Sequence, residues 1–565
     1  MTIYNSIFSI YIGESISKMS TASMEKEPDT ITSPPQDEEE AASYLTGLTL
    51  LSVVVSLVLV IFLMMLDTSI VATAIPRITT QFHSLEDVGW YGSAYLLANC
   101  ALQPLAGKIY KEFSYKWAFL WFFGLFEVGS LLCGVATSSN MFIIGRAVAG
   151  LGCAGLINGA LSIIAASVPL TKRPLYMGFM MSLSQFGVLF GPLIGGALTE
   201  YTTWRWCFYI NLPVGGIVAV ILFFAPVPAG PEKTVDKKFH AGTFLRSLDL
   251  VGFALFAPAI IQILLALQWG GTQYAWNSAT VIGLFCGGAA TLLVFLTWEY
   301  FKGDDAMIPL SMVRQRIFWS SCMTVFFTFS SMLCVNYYLP IYFQAVRGAS
   351  PTMSGVDLLP SIISQMIFAI LSGIGVTKVG YYLPFSVACG VLTAISAGLL
   401  GLLGPHTSMA KWIGYQILGG VGRGLGIQMP IVAIQNLVPK SQASVAMSLL
   451  IFSQTFGGAL FLAFAQTVFN TGLSSALKEY APEVAAETIL AAGATGVRGV
   501  VSGSVLPHVL QAYSQAIDHV FYLSAGAAAG ATLACLGMGW KSIKKAKAEA
   551  ATAESVPEKE VASVV

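Results

Sequence analysis

Four ionisable residues stand inside long apolar runs, and these are the groups that could do chemistry. Asp67 lies in MMLDTSIVATAIPRI, Glu127 in LWFFGLFEVGSLLCG, Arg146 in IIGRAVAGLG and Arg423 in GGVGRGLGIQMP. A charged carboxylate deep in a bilayer costs roughly 2.5–3.5 kcal/mol on insertion scales. A carboxyl held there can bind and release a proton as its surroundings change, which is what proton coupling requires. Asp67 is one such candidate. Its other reading is a carboxylate near the outer end of its run, reaching water or capping a kink before Pro76. Glu127 is the most centrally placed acid, either a second proton site or a partner for a buried cation such as Arg146. Arg146 can pair with a carboxylate, or snorkel to the interface from the end of its run. Arg423 is flanked by glycines that leave room for its guanidinium, and it either anchors helices or touches substrate.

The apolar runs also carry amides: Asn99, Gln103, Asn158, Gln185, Asn336, Gln365, Gln428, Gln435 and Gln454. With Trp90, Tyr95 and Phe186 they could line a cavity for a large, partly apolar ligand. The other reading is hydrogen bonding between helices, at about 0.6 kcal/mol each. Gly187, Gly191 and Gly195 recur every four residues in GVLFGPLIGG, beside Pro192 and Gly196. That spacing makes one smooth helix face that permits tight packing and bending. No metal or cofactor chemistry is expected. The nine cysteines and five histidines are scattered without CxxC or zinc-ligand spacing.

The elements that hold these residues must be membrane helices. Of 565 residues, 55% are hydrophobic and 10% charged, and mean hydropathy is +0.73. A soluble globular chain is about 25% charged. A soluble enzyme or a nucleic-acid binder is therefore excluded, and the bilayer is the partner that composition implies. Fourteen apolar stretches run at roughly 48–75, 89–107, 117–136, 141–167, 176–198, 209–226, 248–268, 279–299, 317–341, 353–374, 383–404, 411–437, 446–467 and 518–540. In a bilayer each backbone group needs an internal partner, so these stretches are helices. The tail 1–46 is acidic and of disordered composition. Its first 18 residues lack the basic start and cleavage site of a signal peptide. The segment 468–517 is expected to lie on the bundle or the membrane surface outside.

With the N-terminus inside, the inner loops and tails receive 21 Lys+Arg and the outer loops six. The positive-inside rule then puts both termini in the cytoplasm. An internal repeat appears at an offset of 270: Gly150 and Gly152 fall on Gly420 and Gly422, Val168-Pro169 on Val438-Pro439, and Met177 on Met447. Duplicated halves around a midplane site are a transporter architecture. The fold expected is an all-α polytopic membrane protein with two six-helix bundles, 47–226 and 301–540, joined by a linker with inserted helices 7–8 at 227–300 and followed by a C-tail at 541–565. No GxxxxGK[ST] occurs, and Gly150-Leu-Gly152-Cys-Ala-Gly155 matches GxGxxG only inside a span, where it serves close packing.

These segments, in this order, resemble the major facilitator superfamily, in its 14-span drug:proton antiporter branch. LDTSIVATAIPRI is similar to that branch's span-1 motif, with Asp67 at the acidic position. GKIYKEFSYKW resembles the loop 2-3 motif, IIGRAVAGLGCAG the span-4 arginine motif, and GVLFGPLIGGAL the antiporter motif of span 5. TWRWCFYINLPVGG, LDLVG and LALQWGG resemble fungal mycotoxin and secondary-metabolite efflux pumps. In the loop 2-3 motif Lys111-Glu112 reverse the usual acid-then-base order, so the usual inner salt bridge is expected to be rewired. The resemblance implies a monomeric exporter, not an enzyme, that exchanges protons for an amphipathic small molecule at the plasma or vacuolar membrane. A siderophore, sugar or other nutrient carrier of the same superfamily is the alternative.

Overall fold

The computed structural model describes residues 44–83, 87–169, 172–227, 248–271, 273–438, 442–501, 503–540 and 542. Most of the N-tail, the whole segment 228–247 and nearly all of the C-tail lie outside the described residues. Among the described residues there is no strand, only isolated bridges. Apart from short turns, the helices are α1 Gly47–Phe82, α2 Val88–Glu112, α3 Tyr115–Gly134, α4 Ser139–Ser167, α5 Arg173–Ser184, α6 Phe186–Tyr201, α7 Asn211–Phe224, α8 Leu250–Trp269 and α9 Ala279–Lys302. The second part of the chain adds α10 Arg316–Ile341, α11 Leu359–Val379, α12 Leu383–Leu400, α13 Met409–Gly426, α14 Met429–Leu437, α15 Ala443–Tyr480, α16 Ala486–Val500 and α17 Leu506–Cys535.

Among the described residues, thirteen stretches are long and apolar enough to cross a membrane. The fourteenth expected span is also helical, as α2, but it is more polar. Asn99 and Gln103 lie inside it and Lys108, Lys111 and Glu112 at its end. Its position explains the polarity. It packs against α4, α8 and α15, so much of its surface meets protein. The segment 468–517 departs from expectation. α15 continues to Tyr480, α16 covers 486–500, and α17 already starts at Leu506. The last span therefore begins about three turns earlier than its apolar run.

The repeat recurs in the packing. A Cβ on Gly150 would strike the Tyr95 backbone of α2, and one on Gly152 the Phe126 backbone of α3. On α13, Gly420 lies against Ser361, Ser364 and Gln365 of α11, and Gly422 against Leu392 and Thr393 of α12. Small residues let these backbones approach closely. The α5–α6 pair is one span broken at Gln185. Ser184 Oγ donates back to the Met180 carbonyl at 2.8 Å, a bond that bends helices.

The pair α8–α9 packs chiefly on itself and, through α8, on α2 and α15. Its inner turn is held by two buried acids. Asp249, in the left-handed region at φ 47°, accepts from Gly252 N, from Trp298 Nε1 at 2.9 Å and from Met307 N at 3.0 Å. Glu299 accepts from Met307 N and Ile308 N. The turn they hold presents the Asp305 carbonyl to Lys108 Nζ at 3.1 Å. Lys108, only 2% exposed, ties the end of α2 to this turn. Asp249→Ala leaves Gly252 N and Trp298 Nε1 without this acceptor, while Met307 N keeps Glu299, and the expected loss is about 2 kcal/mol. It would read as a lower thermal unfolding midpoint of the purified protein; an unchanged midpoint would refute this role.

Candidate functional site

Asp67 sits in the middle of an unbroken α1, 1% exposed, and α6 holds that stretch in place. Gly187 lies against the Phe62 carbonyl and Leu66, Gly191 against Ser69 and Ile70, and Gly195 against Ile70 and Thr73. The glycine face thus lays α6 on α1 on both sides of Asp67. Ser69 Oγ donates to the Gly187 carbonyl at 3.2 Å across the seam. Gly196 does not share this face, since nothing lies within 4 Å of where its Cβ would stand. Pro192 is within α6.

Arg146 enters from α4 and is 2% exposed. Its Nη1 donates to Asp67 Oδ2 at 2.6 Å, an ion pair buried at both ends. Its Nε donates to the Tyr91 carbonyl at 3.0 Å, and the guanidinium lies 4.5 Å from the centre of the Tyr95 ring. This guanidinium is turned inward and does not snorkel. Asp67, likewise, neither reaches water nor caps a kink.

Glu127 does not pair with Arg146. It packs against Gly215 of α7, where a side chain would collide with its carboxyl group. Both of its carboxyl oxygens are buried without a hydrogen-bond partner among the described residues. Asn211 stands one turn from Gly215 on α7. Its Nδ2 donates to Ser130 Oγ at 3.1 Å and makes a long contact to Asp67 Oδ1 at 3.5 Å. Ser130 follows Glu127 by one turn on α3. Asn211 Oδ1 has no partner. The residues Glu127, Ser130, Asn211, Asp67 and Arg146 thus form one polar seam through an apolar bundle.

Sequence reasoning passed over Asn211 and Ser130. Asn211 was in view inside TWRWCFYINLPVGG, yet only as part of a resemblance. It also passed over Asp518, expected at the edge of the last span; α17 places it well inside that helix, with Oδ1 buried and unpaired.

Several amides serve a seam between helices. Gln103 Nε2 donates to Asn99 Oδ1 and, at 3.2 Å, to Thr455 Oγ1 of α15. Ser448 Oγ donates to the Gln103 carbonyl, and Asn158 Nδ2 to the Ser444 carbonyl at 3.3 Å. Gly107 lies against Ser448 and Val445, Gly178 against the Ala369 carbonyl, and Gly373 against Leu175. These contacts close α2 on α15 and α5 on α11 at the end that carries the basic loops. The reversed Lys111-Glu112 pair lies at this end. Gln365 accepts from Arg423 Nε at 3.2 Å, and Gln428 is buried with Oε1 unpaired. Gln185, Asn336, Gln435 and Gln454 are half-buried. Among the described residues no group of His, Cys, Asp or Glu could hold a metal ion.

The Major Facilitator Superfamily profile matches residues 57–462. This chain belongs to the major facilitator superfamily. Its relatives support the same assignment. The MFS-type transporter pigP of Monascus ruber is 54% identical over 511 residues, covering 90% of this chain and 89% of that protein. The efflux pump mlcE of Penicillium citrinum is 52% identical over 512 residues, covering 89% and 93%. Among solved structures, the proton:xylose symporter XylE bound to 6-bromo-6-deoxy-D-glucose aligns at a TM-score of 0.57 and 14% identity, over 88% of this chain and 98% of that one. That likeness shows the fold alone. As a superfamily member this chain is a multi-pass membrane transporter for small molecules, not an enzyme.

Proposed function

We propose that this transporter exports an amphipathic fungal metabolite in exchange for protons. Asp67 and Glu127 are its protonating groups, and Arg146 is their electrostatic partner. The observation that carries this reading is the buried Asp67–Arg146 pair, with an unpartnered carboxyl group close by. Relatives at about half identity, among them the efflux pumps mlcE and mokI, support the direction of transport.

Each proton changes the bonding available. Protonating Asp67 removes the charge that holds Arg146, and the guanidinium must then find another partner. Protonated Glu127 becomes a donor, and Asn211 Oδ1, one turn from Gly215, is an acceptor without a partner among the described residues. Coupling requires proton and cargo to favour opposite-facing states. Inward movement of one proton yields about 2.3 kcal/mol per 100 mV. Two bundles, 47–226 and 301–540, rock around the cargo, with the inserted pair peripheral. The basic end is cytoplasmic by the positive-inside rule. With the seams at its basic end shut, we read this state as closed to the cytoplasm, and Asp67 takes its proton once the opposite side opens. We place the monomer in the plasma membrane, with both termini in the cytoplasm.

The test is efflux from yeast lacking its own pumps, scored on a panel of lipophilic secondary metabolites. Export that stops on adding an uncoupler supports the reading, and export indifferent to it refutes proton coupling. Asn211→Leu should cut pH-gradient-driven efflux about tenfold, since it removes a hydrogen bond to charged Asp67. Wild-type rates in that variant would remove Asn211 from the coupling seam.

A further inference from the structure

The offset of 270 pairs Asp67 with Tyr337, Tyr91 with Ser361, Tyr95 with Gln365 and Arg146 with Gln416. The second half therefore keeps the frame of the ion pair and discharges it. Gln416, in the place of Arg146, donates to the Asp357 carbonyl at 2.9 Å, and the acid's place in the sequence is taken by Tyr337, which is exposed. Yet this half has its own buried cation. Arg423, 3% exposed, falls where the first half has Cys153, about two turns along the helix from Gln416. Its Nε donates to Gln365 Oε1 and its Nη2 to Ser361 Oγ, both neutral acceptors on α11. Arg423 makes no ion pair with any described carboxylate. Its Nη1 lies beside Gly419, 3.4 Å from where a Cβ would stand.

A guanidinium presents five donors and stays charged, and burying it without an anion is costly. Helix anchoring alone would be served by a neutral side chain, as Gln416 shows one turn and more away. We propose that Arg423, held in place by Ser361 and Gln365, binds an anionic group of the cargo, a carboxylate or an ionised acidic hydroxyl. The transporter then selects amphipathic acids over their neutral esters. This rests on the reading that the chain transports a small molecule between its two halves, not on proton coupling.

The test uses the full-length protein in nanodiscs, with 1-pyrenebutyrate and its methyl ester as fluorescent probes at equilibrium. The wild type should bind the acid at least about tenfold more tightly than the ester. Arg423→Gln should lose that preference and leave ester affinity unchanged, while Arg423→Lys keeps the acid ahead. Equal affinity for both probes in the wild type overturns the proposal, as does an Arg423→Gln protein whose acid-to-ester ratio is unaltered or whose two affinities fall together. If Arg423→Gln does not fold, the wild-type ratio and Arg423→Lys decide the matter. Acid preference without uncoupler-sensitive efflux would sink the proton-coupled reading and leave Arg423 assigned.

Discussion

Asp67→Asn is expected to abolish proton-driven efflux and to destabilise the protein. The substitution keeps the shape of the side chain but leaves Arg146 charged, 2% exposed and without its anion. Removing one partner of a buried pair costs about 3–5 kcal/mol. The double variant Asp67→Asn with Arg146→Gln removes both charges and should recover most of the unfolding midpoint. It should not recover pumping, because no group at the pair can then exchange a proton. The two readouts separate stability from coupling. A double variant that pumps against a pH gradient would show that the pair is only structural, and a single variant as stable as the wild type would show that Arg146 has another anion.

Gly191→Leu is expected to be as damaging for a different reason. Its Cβ would meet Ser69 Oγ and come within 3.0 Å of the Ile70 backbone nitrogen, and backbone cannot yield as a flexible side chain can. The helix α6 would be pushed off α1, and Asp67, two residues before Ser69, would leave Arg146. Overpacking typically costs about 1–3 kcal/mol. Distances at an ion pair respond more sharply, so transport should fall by at least about a hundredfold. Gly196→Ala is the internal control, since nothing stands within 4 Å of its Cβ position. Efflux should match the wild type there. Equal damage at both positions would mean that the glycines serve helix flexibility and not the seating of Asp67.

The apolar runs made the helices legible, and the acid of α1 and the arginine of α4 stood out because charge is costly in a bilayer. Their pairing was not legible. Asp67 and Arg146 are 79 residues apart, and no spacing rule joins them. Glu127 was an equally good partner on composition, and only the path of α3 beside α7 turns it toward Gly215. The polar residues of α2 read either as cavity lining or as bonds between helices, and Gln103 makes the second kind, across a seam to Thr455. An amide's chemistry is the same in both settings, so sequence cannot choose between them. Hydropathy also missed the ends of α15 and α17. Helical turns near the membrane surface need not be apolar, so their start leaves no mark in an apolar count.

Reversal of the cycle is the most direct test of coupling through Asp67. Proteoliposomes would be given a gradient of an exported metabolite, no imposed pH gradient and a pH-sensitive dye inside. The metabolite flowing down its gradient must drive protons the opposite way in the wild type, and must drive none in the Asp67→Asn, Arg146→Gln double variant. An internal pH that stays constant in the wild type while the metabolite moves would contradict the account, and so would a double variant that moves protons at the wild-type rate.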